Sequence, residues 1–314
     1  MPTELNSNNS ESIFKPPVPG AEQEIINRWN EGADKPLVSI ICHTYQHVNY
    51  LRDALNGFLM QETSFSFEVI LRDDASVDGT KEIVEEYASR YPSIIKPVIE
   101  TENQFSKGIK PATVTFPLAL GRYIAFCEGD DYWCDHKKLA KQVSFLEENG
   151  DYVVTYHDAV VIDEKNMIER RSILCGKHID YSQEKLLTCA MMPNLTRCYR
   201  NVIKEFPEEY KYVSSGDTFM TSLLGQHGKA KCMTNILPAV YRRHGGGIWA
   251  GVDESRRRIN SSVTFYWLAV YYKRINMNRV AQKQAFSSVM TLSAHLGLTW
   301  FSMAKIFLYK ILNK

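Results

Sequence analysis

Between Leu37 and Asp131 the chain alternates short β-branched runs with stretches of helical spacing, and two of the runs end on clustered acidic residues. Leu37-Val-Ser-Ile-Ile-Cys42 reads as a strand buried on both faces, since it is short, apolar and bounded by polar residues. Val48, Leu51, Leu55, Phe58 and Leu59 then recur at helical spacing, up to the polar stretch that starts at Gln61. A second strand, Phe67-Glu-Val-Ile-Leu71, leads into Asp73-Asp-Ala-Ser-Val-Asp78-Gly-Thr80. Ile83, Val84, Tyr87 and Ala88 mark the following helix, with Asp78 or Ser76 as its cap and Pro92 beyond its end. Residues 94–99 form a third strand, and Tyr123-Ile-Ala-Phe-Cys127 a fourth that runs directly into Glu128-Gly-Asp130-Asp131. This alternation predicts an α/β fold, a mostly parallel sheet with helices on both faces. Ligands of such sheets sit at the carboxyl ends of the strands. Both acidic turns fall there.

The flanks are less informative. Residues 1–35 read as a flexible leader with one short helix near 21–29, and from about Asp253 the chain reads as helices. In between, residues 151–156, 159–162, 191–199 and 236–241 look like strands, and a helix begins near Asp217. Lys and Arg number 37 against 36 Asp and Glu, so a net charge of +1 gives no global field for nucleic acid, and none is expected as a partner. Seven cysteines without a CxxC pair argue against a zinc ribbon and for reduced, mostly buried thiols. The polar N-terminus is no secretion signal, and no run reaches the roughly 18 apolar residues of a membrane span. A cytoplasmic protein is expected. The last stretch sets Trp300, Phe301, Ile306, Phe307, Leu308, Ile311 and Leu312 among Lys305, Lys310 and Lys314. A basic, aromatic-bearing helix of this kind either rests on an anionic membrane or packs on its own domain.

The acidic turns carry the chemistry. Three carboxylates within four residues repel one another unless a cation offsets them, and oxygen-only ligation favours Mg2+ or Mn2+ with a phosphate-bearing ligand completing the shell. The competing reading is a solvated turn capping the next helix. At Asp73-Asp74 a carboxylate can accept a hydrogen bond from a nucleobase N–H, or again cap a helix. The two turns together say more than either alone.

Pro36-Leu-Val-Ser-Ile-Ile, the run from Val69 through Asp73, Asp74 and Asp78 to Thr80, Gly121-Arg-Tyr-Ile-Ala-Phe-Cys-Glu-Gly-Asp130-Asp131-Tyr-Trp, Ser215-Gly-Asp217 and Tyr241-Arg-Arg-His244-Gly-Gly-Gly-Ile-Trp closely resemble the family 2 glycosyltransferases of the GT-A fold. The resemblance covers residues 36–249 in order. It implies a GT-A domain over 36–250, with a nucleotide-binding half about 36–135 and an acceptor half about 136–250, followed by a helical extension over 251–314. It implies an inverting, metal-dependent hexosyl- or N-acetylhexosaminyl-transferase that uses a nucleotide-diphosphate sugar, with UDP as the nucleotide. Asp73 then binds the donor base, with Asp74, Thr44 and Tyr45 lining the pocket. Glu128, Gly129 and Asp130 occupy the D-x-D position. Asp130 is the metal ligand for Mn2+ or Mg2+, Asp217 the catalytic base, and His244 a metal or donor-phosphate contact. Acceptors are glycans, lipid-linked glycans or proteins, and a lipid-linked one gives the C-terminal helix a reason to touch the membrane. Two departures stand out: Glu128 replaces the family's Asp, and Ala75 replaces a usual Gly.

Other readings fit less well. A dinucleotide-binding Rossmann fold needs G-x-G-x-x-G after its first strand, where this chain has His43-Thr-Tyr-Gln-His47. A receiver domain is shorter and places its aspartates differently. A sugar nucleotidyltransferase carries a glycine-rich basic segment that is absent here, and a non-catalytic nucleotide-sugar binder would have no use for Asp217. Basic residues Arg242, Arg243, Lys107 and Lys110 either meet phosphates or face water, and Trp133 and Trp249 either stack on a sugar or pack.

Overall fold

The computed structural model describes residues 15–30, 35–188, 190–247 and 253–296. Its elements run α1 (Glu22–Ile26), β1 (Val38–Thr44), α2 (Leu51–Leu59), β2 (Phe67–Asp73), α3 (Thr80–Arg90), β3 (Ile95–Ile99), α4 (Pro111–Thr115), β4 (Tyr123–Phe126) and α5 (Lys138–Glu148). They continue with β5 (Tyr152–Tyr156), β6 (Ala159–Ile162), β7 (Ile168–Arg170), α6 (Gln183–Leu187), β8 (Cys198–Arg200) and α7 (Gly216–Leu224). Then follow β9 (Lys229–Cys232), β10 (Ala239–Arg242), α8 (Glu254–Arg274) and α9 (Asn278–His295). A seven-stranded sheet has the order β3-β2-β1-β4-β8-β5-β9, and a three-stranded one has the order β10-β6-β7.

Strand alternation explains the two cores. Along β1, Val38, Ile40 and Cys42 point to one face, where they join Leu55, Phe58, Val84 and Val143 from α2, α3 and α5. Ile41 points the other way, with Ile124 and Phe126 of β4, into a cluster formed with α6, α7 and α8 through Leu186, Phe219, Leu223, Leu268 and Tyr272. Helices therefore cover both faces, and β1, β2 and β4 need the near-continuous apolar runs that the sequence shows. The sheet is mostly parallel; β8 is the exception, antiparallel to both β4 and β5.

The strand expected over residues 191–199 is a correction. Only Cys198–Arg200 pairs in the sheet, and a 3-10 turn at Asn194–Thr196 precedes it. Pro193 lacks an amide for a ladder, and its carbonyl instead accepts from the amide and hydroxyl of Thr196. The described part of the leader packs on the sheet edge: Ile25 is buried, Glu22 accepts from the amides of Ser93 and Ile94, and the Tyr91 hydroxyl donates to the Gly20 carbonyl.

Helices α8 and α9 form an antiparallel pair held by Ser262–Ser288 and Ser255–His295 contacts. Helix α8 docks on α7 through Tyr272, whose hydroxyl meets both the hydroxyl and the carbonyl of Ser222. Among the described residues no helix is long and apolar enough to cross a membrane. The aromatic, basic segment expected as a surface helix lies, past Leu296, outside the described residues. Six cysteines are free, four of them buried, and none forms a disulfide among the described residues.

A buried network stitches the amino ends of the central strands. Ser39 Oγ donates to Glu68 Oε1 at 2.6 Å, which also accepts the Leu120 amide, while Ser39 Oγ accepts the Gly121 amide at 2.8 Å. Gly121 is required by space, since a Cβ there would lie 2.4 Å from the Ser39 backbone nitrogen. Gly121→Ala is expected to destabilise the protein by about 1–3 kcal/mol, the usual range for overpacking. Urea unfolding of the variant measures it.

Candidate active site

The strand register builds one edge. Thr44 pairs with Asp73 where β1 and β2 end level. Past the end of β4 the Cys127 amide donates to the Ile41 carbonyl (3.2 Å) and the Gly129 amide to the His43 carbonyl (2.9 Å), which draws the acidic turn against β1. Gly129 suits this approach, because a Cβ would lie 2.9 Å from Thr44 Oγ1 and 3.1 Å from His47 Nδ1. Thr44 Oγ1 itself is buried with no partner.

The turn after β2 holds Asp73 rigidly. Its carboxylate accepts the Ser76 amide (3.0 Å) and hydroxyl (2.5 Å), and burial raises its pKa against the pull of those bonds. Asp74 is placed differently from the expectation of a donor contact. Both of its oxygens are engaged, by Arg72 (2.7 Å) and by the amides of Gln104 (2.9 Å) and Phe105 (3.0 Å), so it fixes a neighbouring loop. Ala75 has φ 62°, in the left-handed region, which gives the Gly of the resembling sequences a physical reason. The alanine costs about 1–2 kcal/mol there.

In the acidic turn the three carboxylates take different partners. Asp131 is buried and accepts the Arg242 amide at 2.8 Å; burial, then the charge of Asp130, raises its pKa. Asp130 Oδ2 lies 3.0 Å from His244 Nε2 and 3.8 Å from His47 Nε2. Burial alone would raise the Asp130 carboxyl, but His244 and His47 hold it below its usual range. Glu128 is pushed up to about 8 by burial and then by the charges of Asp130 and Asp217. Asp217, in the first turn of α7, is thus near enough for its charge to act on Glu128.

Arg242 does not reach outward to phosphates. Its guanidinium is buried, donating to the Asp130 carbonyl (3.0 Å) and Asp53 (3.0 Å), between the rings of Tyr50 and Tyr132 at 4.7 and 5.4 Å. Lys107 pairs with Glu102, Arg243 with Glu169, and Lys110 donates to the Val213 carbonyl. Trp133 is fully buried, its Nε1 donating to the Leu195 carbonyl, so it packs and does not stack on a sugar. Trp249 lies outside the described residues. Tyr45, beside the edge, is 44% exposed.

The chain has a donor set for a cation. Ligand atoms of His47, Asp130 and His244 lie within 4.8 Å of one another, and Asp130 Oδ1 and His47 Nδ1 are buried without partners. A carboxylate with one oxygen unsatisfied, beside two imidazoles, fits a metal ion. His47 is not among the residues that the sequence singles out, although Thr44 and Tyr45 just before it are. Its one signal was position, a histidine a few residues beyond a strand end. Asp217 is held from behind: the Ser215 amide donates to Thr264 of α8, and a Cβ on Gly216 would lie 2.6 Å from the Tyr210 hydroxyl.

Comparison with known proteins decides the family. The sequence model described as Glycosyl transferase family 2 matches residues 39–209, more than half of the chain. The chain belongs to glycosyltransferase family 2. An uncharacterised protein of Mycobacterium tuberculosis is 33% identical to this family 2 member over 222 residues, covering 70% of this chain and 63% of that protein. The chain thus spans less than two thirds of that relative's length. A protein of Escherichia coli named UDP-Glc:alpha-D-GlcNAc-diphosphoundecaprenol beta-1,3-glucosyltransferase is 27% identical over 216 residues, or 68% of this chain and 80% of its own. The crystal structure of residues 1–349 of TarS from Staphylococcus aureus superposes with a TM-score of 0.59 at 20% identity, over 82% of this chain and 72% of that one. That likeness establishes the GT-A fold.

Arg242 is the residue whose loss the site should feel most. Arg242→Leu leaves Asp53 and the Asp130 carbonyl without their donor, and breaking a buried pair from one side costs about 3–5 kcal/mol. Arg242→Lys keeps the charge but not the fork, and is expected to fall in between. Chemical denaturation of the two variants beside the unaltered chain tests that order.

Proposed function

We propose that the protein transfers a sugar, with inversion, from a UDP-sugar to a hydroxyl of a cell-surface glycan acceptor. The observation that carries this reading is the meeting at one strand edge of the buried carboxylate of Asp73 and an acidic turn flanked by histidines, with Asp217 near enough to act on Glu128. Family membership supports it. The E. coli relative's name, with a UDP-linked donor and a diphosphoundecaprenol-linked acceptor, supports the nucleotide and a lipid-linked glycan as acceptor. Such an acceptor lies at a membrane, so on this reading the protein works at its cytoplasmic face.

The roles follow from the geometry. Asp73 accepts the uracil N3–H, beside Thr44 and Tyr45. Glu128 and Gly129 line the approach of the donor, with Gly129 leaving room for it. Asp130 and His244 would hold Mn2+ or Mg2+, which would supply Lewis-acid stabilisation of charge on the departing diphosphate. Asp217 takes the proton of the acceptor hydroxyl as that oxygen attacks the anomeric carbon, from the face opposite the diphosphate.

Two measurements test this. Asp217→Asn should bind UDP as the unaltered protein does while transferring sugar about 10²-fold more slowly or worse, the scale of a lost general base. Calorimetry and a nucleotide-release assay read the two quantities separately, and a parallel fall in both would make Asp217 a donor-binding residue. In competition binding UDP should outrank GDP, and Asp73→Ala should shrink that preference. A preference for GDP in the unaltered protein would overturn the donor.

A further inference from the structure

The loop after β1 is tied down more firmly than a connecting loop requires. Gln46 sits at φ 58°, and its amide donates to Ser76 Oγ at 2.9 Å. The His47 amide donates to Thr80 Oγ1 at 2.8 Å and the Val48 amide to Asp78 Oδ2 at 3.1 Å. Three successive amides are thus fixed by the turn that follows β2. The His47 carbonyl in turn accepts the amides of Tyr50 and Leu51, where α2 begins. All this bonding settles one side chain. The His47 ring stands edge-on to that of His244, with centroids 5.6 Å apart, and its Nε2 faces Asp130. Its Nδ1, on the Gly129 side, is buried and bonded to nothing. An ordinary loop histidine would satisfy both nitrogens or expose them.

We propose that His47 is a metal ligand in its own right, completing with Asp130 and His244 a three-residue site that binds a first-row transition ion before any nucleotide arrives, with Mn2+ favoured over Mg2+. This rests on the donor-site reading above and extends it. Two imidazoles with one carboxylate make a borderline donor set, whereas Mg2+ prefers oxygen and keeps its water. Three protein ligands already gathered need no diphosphate to assemble them. The same loop has a second consequence: Ser76 accepts from Gln46 and also grips Asp73, so the metal site and the base pocket share one strap.

The test uses chelator-stripped, nucleotide-free protein. Calorimetric titration should show Mn2+ binding at least tenfold more tightly than Mg2+. His47→Gln should weaken Mn2+ binding by about tenfold or more, since losing even an outer partner of a ligand commonly costs 10–100-fold. Electron spin-echo spectroscopy of the unaltered Mn2+ protein should show two coupled imidazole nitrogens, a readout that does not depend on a variant folding. One imidazole, or an unchanged Mn2+ affinity in a folded His47→Gln protein, overturns the role of His47 and leaves Asp130 and His244 as the donor-metal pair. Two imidazoles together with failure to bind UDP at saturating Mn2+ would uphold His47 and sink the donor-site reading instead.

Discussion

The guanidinium of Arg242 is the contact on which the acidic edge depends. Glu128, Asp130 and Asp131 crowd one turn, and their mutual repulsion would open it if nothing opposed them. Arg242 meets that demand from inside the fold. Its amide serves Asp131, its Nη1 holds the Asp130 carbonyl, and its Nη2 reaches Asp53 on α2. Flanking tyrosine rings shield the charge from water, where a guanidinium keeps a favourable electrostatic contact with each face. Because Arg242 ends β10, this one side chain joins the small sheet to the large one at the strand edge. His244, two residues on, is delivered to Asp130 by the same connection.

The opposite wall is organised from the C-terminal helices. From about Asp253 the sequence reads only as helices. Yet Thr264 and Tyr272 of α8 grip Ser215 and Ser222 at the two ends of α7, and Arg274 makes a two-bonded pair with Glu209 just upstream. Asp217 sits between these anchors. The described part of the extension therefore supports the helix that carries the proposed base.

What could be read from sequence was local. β1, β2 and β4 are largely apolar runs, and β2 and β4 lead into acidic turns, so their burial, their order and two acidic ends are legible, and the parallel sheet follows. The segment at 191–199 was misread because its apolar residues are interrupted by Pro193, whose carbonyl starts a turn. Asp74 looked equivalent to Asp73, and nothing in the sequence reveals that the amides of Gln104 and Phe105 occupy it. Arg242 reads in the sequence as a cation for phosphates or for water, because its acidic-turn and α2 partners are more than a hundred residues away. His47 was invisible for the same reason: its meaning comes from a loop held by Ser76, Asp78 and Thr80, which no spacing records. Ala75 is visible in the sequence as a departure, but only its backbone shows the left-handed conformation that a glycine would take freely.

The central claim is that the edge formed by β1, β2 and β4 holds the donor's nucleotide and diphosphate together with a cation. Anomalous diffraction at the manganese edge, from crystals grown with UDP and Mn2+, tests it most directly. The account predicts one peak among Asp130, His244 and His47, beside the diphosphate, with the uracil against Asp73. A nucleotide bound away from that edge, or a manganese peak between Glu128 and Asp217 with the histidines vacant, would contradict it.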